Sequence, residues 1–162
     1  MTTIGENIFY MLSKEESHAL LDKCLELQPG VLREFRPKPY PGTEDVIREL
    51  AGEYPLYIVS NCQGGYPECF MEITGLEDCF SGHLCPDDTG VGKAENIRIL
   101  MEREKLDRAV YIGDLLLDRI ASEEAGAGFI YAAYGFGDIQ DAEYRIETIA
   151  DLPETVRRML AK

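Results

Sequence analysis

At 162 residues, with 45% hydrophobic and 28% charged side chains, the chain has the size and make-up of one globular domain around a single substantial core. Thirty acidic against 16 basic residues leave a net charge of -14, which repels nucleic acid and anionic membranes and argues against both as partners. The sequence opens on no basic segment followed by an apolar run, and no apolar stretch approaches about 18 residues, so a cytoplasmic protein is expected.

Ser13 with Glu16 three residues on forms a capping-box pattern and predicts a helix whose apolar side carries Leu20, Leu21, Cys24, Leu25 and Leu27. That helix is expected to stop near Pro29-Gly30. The stretch Arg36-Pro37-Lys38-Pro39-Tyr40-Pro41-Gly42 cannot continue a helix and reads as a linker. A second helix is predicted over Thr43–Ala51, burying Val46, Ile47 and Leu50. Leu56–Val59 is a continuous apolar run stopped by Ser60-Asn61, the pattern of a strand covered on both faces. Residues 108–112 and 128–133 repeat it. Helical stretches are expected at 67–74, 93–104 and 116–125, the last closed by Gly126. Strands alternating with helices imply a parallel sheet with right-handed crossovers, and in such sheets ligands bind beyond the carboxyl ends of the strands. Ser60 and Asp114 both fall there.

Cysteines 24, 62, 69, 79 and 85 are odd in number and contain no Cys-x-x-Cys, so neither a disulfide framework nor a zinc site is supported, and His83 between Cys79 and Cys85 does not change that. Thr89-Gly90-Val91-Gly92-Lys93 approaches a nucleotide-binding loop but has Asp87 for its leading Gly and Ala94 for its closing Ser or Thr.

The segment YIGDLLLDRIASEEAGAGFIYAAYGFG resembles the fourth motif of the haloacid dehalogenase superfamily, with Asp114, Asp118, Ala121, Ala125 and Gly126 at its positions. IVSNCQ resembles the second motif, and TGVGKAENIRILMER the third, with Lys93 as its lysine. PYPGTEDVIREL resembles the segment that leads from a mobile cap back to the core. The branch most similar is the small-capped, phosphoglycolate-phosphatase-like one. The resemblance implies an α/β Rossmann-like core with a parallel sheet over residues 39–162 and a partial helical cap over 1–38. It further implies a Mg2+-dependent phosphatase of small phosphorylated metabolites. Ser60 and Asn61 would bind the phosphoryl group, Lys93 would place a positive charge on it, Asp114 would hold Mg2+, and Asp118 would support the site through a water or through Lys93.

Each residue also has a plainer reading: Ser60-Asn61 as a turn, Lys93 as a solvated first-turn lysine, Asp114 as a helix cap. Two departures from the family pattern stand out. The nucleophilic Asp-x-Asp after an N-terminal strand is absent, so the chain is expected to be truncated, inactive as it stands, a non-catalytic phosphate-binding or regulatory module, or half of a split phosphatase completed by another chain or an oligomer. Leu115-Leu116-Leu117 occupies positions where the family usually has polar residues, and could be a packing change or could exclude water and the ion. The family's first strand is central in its sheet, so its absence should leave unpaired strand edges.

Overall fold

The computed structural model describes residues 7–161, and the chain divides into two compact units, Met1–Pro37 and Lys38–Lys162. The first unit holds helix α1, Lys14–Phe35. Its start is the predicted capping box: the Ser13 backbone N–H and hydroxyl donate to Glu16 Oε2 at 3.0 and 2.8 Å, and the Glu16 N–H donates back to Ser13 Oγ at 3.3 Å. Its end corrects the sequence reading. The helix does not stop at Pro29-Gly30 but runs through Pro29 to Phe35. A proline removes one backbone donor, a loss the flanking turns can carry. The effective stop is Pro37, which bars the residue before it from the α conformation. Arg36 turns left-handed at φ 43° and donates its N–H to the Leu32 carbonyl at 2.8 Å.

The second unit begins with α2, Thr43–Ala51, and β1, Leu56–Val59, where expected. Next come α3, Tyr66–Thr74; β2, Phe80–Leu84; the single turn α4, Pro86–Thr89; and α5, Lys93–Arg103. The chain ends with β3, Val110–Gly113; α6, Leu116–Ala125; β4, Gly128–Ala132; β5, Arg145–Ile146; and α7, Leu152–Leu160. β2, β5 and α7 escaped the sequence reading. β2 reads Phe-Ser-Gly-His-Leu, with too few apolar residues for a strand signal, and β5 is two residues long. α7 announced itself through Thr148 and Asp151, whose carboxylate accepts the Thr148 N–H at 2.9 Å just before the helix.

All pairings are parallel, as expected for an α/β fold, but the described strands form two ladders rather than one. β1 pairs with β2, placing Ile58 beside His83, while β3, β4 and β5 form the second ladder, with Ile112 beside Ile130. β1 and β3 do not pair.

Two helical layers cover the strands. On one face α2 and α7 pack Val46, Leu50, Leu152 and Val156 against Ile130, Ala132 and Ile146, with Leu56 and Val110 at the margin. Arg157 on α7 fastens this layer by ion pairs to Glu49, at 2.5 Å, and to Glu53. The other face has Ile97 of α5 and Ala121 of α6 against Ala127, joined by Val59, Met101 and Tyr111. Each layer therefore spans both ladders.

Ile130 is fully buried at the middle of the three-stranded ladder. Truncating it should leave a cavity that packed neighbours cannot fill. We expect Ile130→Ala to lower the unfolding free energy by about 2–5 kcal/mol with an unchanged denaturant slope, measured by urea titration.

Candidate active site

Asp118 sits in the first turn of α6 with its side chain 7% exposed, and Lys93 opens α5 with its side chain 13% exposed. Two charges so far out of water are tolerable only when paired and hydrogen-bonded. Lys93 Nζ donates to Asp118 Oδ1 in a short ion pair, and Asp118 Oδ2 accepts the backbone N–H groups of Asp114 at 3.2 Å and Leu115 at 3.1 Å. The carboxylate thus fastens the lysine to the loop that leaves β3. Room for this comes from Gly113, where a Cβ would stand 2.5 Å from that of Asp118.

Lys93 is aimed by its own loop. Asn96, fully buried on α5, accepts the Thr89 hydroxyl at 2.5 Å and donates to the Val91 carbonyl at 3.4 Å, clamping residues 89–92. The ammonium lies 5.4 Å from the centre of the Tyr111 ring, within cation–π range. Burial alone would lower the Lys93 pKa, but Tyr111 and Asp118 more than reverse this and hold it above its ordinary value. Burial raises the Tyr111 phenol, so it stays a neutral donor, and it gives its proton to the Val59 carbonyl at 2.8 Å. Val59 immediately precedes Ser60.

Ser60 Oγ accepts the Cys62 N–H at 3.2 Å, stabilising the turn after β1, and burial pushes the Cys62 thiol up. Gly64 in the same loop donates to Asp87 at 2.7 Å. Asp114 is held from the far side: its Oδ2 accepts the Phe136 N–H at 2.8 Å. A side chain at Gly135 would collide with that carboxylate, and one at Gly137 with the Asp114 carbonyl. Lys93, Asp118 and Asp114 are therefore linked directly, and Ser60 through Val59 and Tyr111. Asn61 is exposed and not drawn into the network.

Leu115, Leu116 and Leu117 are 42%, 57% and 68% exposed, so these side chains stand at the surface rather than filling the space between Lys93 and Asp114. His83 Nε2 lies 3.2 Å from a Glu68 carboxylate. The sequence reading missed Tyr111, Asn96 and the Gly135-Phe136-Gly137 turn. The two glycines closely following an apolar strand were the available signal for the last.

The described residues do not by themselves fit a magnesium ion. Both Asp118 oxygens are engaged, which leaves Asp114 as the carboxylate that could face a cation. Among the described residues no group of three or more His, Cys, Asp or Glu could hold a metal. No described helix is long and apolar enough to cross a membrane.

Residues 3–132 match the family of haloacid dehalogenase-like hydrolases. The chain belongs to that family. Among solved structures, a predicted phosphatase from Clostridium acetobutylicum superposes with a TM-score of 0.80 at 21% identity, over 97% of this chain and 76% of its own. A haloacid dehalogenase-like family hydrolase from Streptococcus pneumoniae gives 0.76 at 18%, over 94% and 75%. The haloacid dehalogenase-type hydrolase YfnB from Bacillus subtilis, bound to magnesium, gives 0.66 at 18%, over 96% and 79%. At these identities the likeness is one of fold, the Rossmann-like α/β core of the family. No curated protein was found to match the sequence.

Asp118→Asn would leave the Lys93 ammonium buried without its counter-charge. At neutral pH it should cost about 3–5 kcal/mol in urea unfolding. Because the folded-state pKa of Lys93 is raised, the pair's contribution is complete below the ordinary lysine value and fades as pH climbs past about 10.4. The gap between parent and variant should narrow there.

Proposed function

We propose that this chain carries the phosphate-holding portion of a phosphatase site for small phosphorylated metabolites and is inactive alone because it lacks the attacking carboxylate. The observation that carries the reading is the buried Lys93–Asp118 pair, tied to the Asp114 backbone at the carboxyl end of β3. Phosphoryl transfer spreads negative charge over the transferred oxygens, so its catalysts are mainly fixed positive charge and fixed donors. Lys93, held rigidly by Asp118 and Tyr111, supplies the charge. Ser60, with Asn61 beside it, supplies donors at the end of β1. Family membership and the magnesium-bound neighbour support a role for Mg2+. Asp114 would hold the ion together with oxygens from the phosphate and from outside the described residues. A bound Mg2+ would neutralise phosphate charge.

The sequence holds no Asp-x-Asp after an apolar run. Of the two carboxylates in the network, Asp118 is saturated by Lys93 and two amides, and Asp114 accepts the Phe136 amide. Loss of a nucleophile costs an enzyme of this kind several powers of ten, on the order of 5 kcal/mol or more. With p-nitrophenyl phosphate and Mg2+ the chain alone should show no turnover above background. Turnover near one per second that is abolished by Asp114→Asn would overturn the proposal.

A non-catalytic phosphate-binding module is the second reading, favoured by the intact pairing of Lys93. Inorganic phosphate with Mg2+ should then bind no tighter than roughly millimolar, near 4 kcal/mol, since the chain carries a net charge of -14. Amide shifts around Ser60, Lys93 and Asp114 in an NMR titration would report it. Lys93→Ala should weaken the response; an identical response in that variant would remove Lys93 from the site.

A further inference from the structure

We infer that Asp87 is a positioning residue of the phosphate-holding site: through the single turn α4 it braces the loop after β1 against the loop that aims Lys93. The inference rests on the phosphatase-site reading, because the brace matters only if both loops meet one phosphate.

The loop after β1 gains from an outside hold. Its sequence, Ser60-Asn61-Cys62-Gln63-Gly64-Gly65, ends in two glycines, the residues with the most backbone freedom to lose on ordering. Its near end is fixed by β2, since the Ser60 N–H donates to the Leu84 carbonyl at 3.1 Å. Its far end is fixed by α3: Gly65 turns left-handed at φ 84°, and its carbonyl accepts the Cys69 N–H at 3.1 Å. Between these ends the Gly64 N–H donates to Asp87 Oδ2 at 2.7 Å, a charge-assisted bond to a residue 23 positions on.

Asp87 can act as a hold because its own turn is stiff. Pro86 fixes the first backbone angle of α4, the Asp88 carboxylate accepts the Cys85 N–H at 2.7 Å, and the Gly90 N–H closes the turn on the Pro86 carbonyl at 2.7 Å. Leu84 and Cys85, which lead into the turn, are buried. The turn leaves through Thr89, whose hydroxyl donates to the fully buried Asn96 and accepts the Val91 N–H at 3.4 Å. Asn96 lies in the first turn of α5, directly after Lys93 and its two neighbours. Three consecutive side chains therefore have three separate duties: Asp87 holds the Ser60 loop, Asp88 caps the turn, and Thr89 holds the Lys93 loop. A carboxylate on the Ser60 loop repels phosphate, so the contribution of Asp87 comes through its acceptor oxygen and against its charge.

The test is a titration of the 15N-labelled chain with inorganic phosphate and Mg2+, repeated on Asp87→Ala and Asp87→Asn. Both variants remove the negative charge, and only the second keeps an oxygen that can accept the Gly64 N–H. Asp87→Ala should speed hydrogen exchange at the Gly64 amide and weaken phosphate binding about three- to fivefold, although the lost charge by itself favours the anion. Asp87→Asn should bind phosphate at least as tightly as the parent. Asp87 is exposed, so both variants are expected to fold, and this pair decides the matter even where Thr89→Val does not fold. Thr89→Val, which unties the other loop, should weaken binding about threefold. Added to Asp87→Ala it should cost less than the product of the two single losses, because a spacing already lost cannot be lost twice. Asp87→Ala binding as the parent does, Asp87→Asn as weak as Asp87→Ala, or single losses that multiply in the double variant each overturn the assignment. If Lys93→Ala weakens the phosphate response and Asp87→Ala does not, the brace alone fails. If the parent shows no response, or Lys93→Ala changes nothing, the phosphatase-site reading fails and the role of Asp87 fails with it.

Discussion

One buried ion pair organises the carboxyl edge of this protein. Lys93 and Asp118 come from the first turns of different helices, and each would be costly where it lies without the other. Asp118 has a second duty, accepting two successive amides of the loop after β3, so the pair holds helix α5 to the start of α6. Tyr111 beneath Lys93 extends the connection to β1 through the Val59 carbonyl.

The same tyrosine marks where the structure is least conventional. A parallel sheet normally satisfies its inner strands on both edges, because backbone groups deprived of partners cost free energy. Here the two helical layers span both ladders, while among the described residues no strand pairs with both β1 and β3. Continuity of the molecule across this interval is carried by apolar side chains, with Leu56, Val59, Val110 and Tyr111 contributing on both sides. Apolar packing is indifferent to direction in a way that strand pairing is not, which is how the layers can persist across the interruption.

Membership in the haloacid dehalogenase-like hydrolases brings a chemical expectation that the described residues meet in part. A fixed cation, a serine at a strand end and an aspartate held by a glycine-flanked turn are the groups that the proposed phosphate-holding site would use. A nucleophile and a full metal shell do not follow from them. Leu115, Leu116 and Leu117 turn outward, so their departure from the family pattern alters the surface next to the site and leaves the Lys93–Asp118 contact undisturbed.

Much of the fold was legible because its signals are local. The Ser13 capping box, the apolar run Leu56–Val59, the spans of α2 and α6 and the closing Gly126 are all set by residues within a turn or two of one another. Lys93, Asp114, Asp118 and Ser60 could be named from motif order, since each stands at a strand or helix end that the apolar pattern delimits. Pro29 misled because a single lost hydrogen bond is outweighed by a helix that continues well on either side. β2 and β5 were invisible because strands of few apolar residues are made by the neighbour they pair with. That Asp118 spends both oxygens, that Tyr111 reaches β1, that Phe136 closes on Asp114, and that the strands divide into two ladders depend on residues tens of positions apart. Only the tertiary structure decides these, because hydrogen-bond saturation and strand adjacency belong to the space between elements.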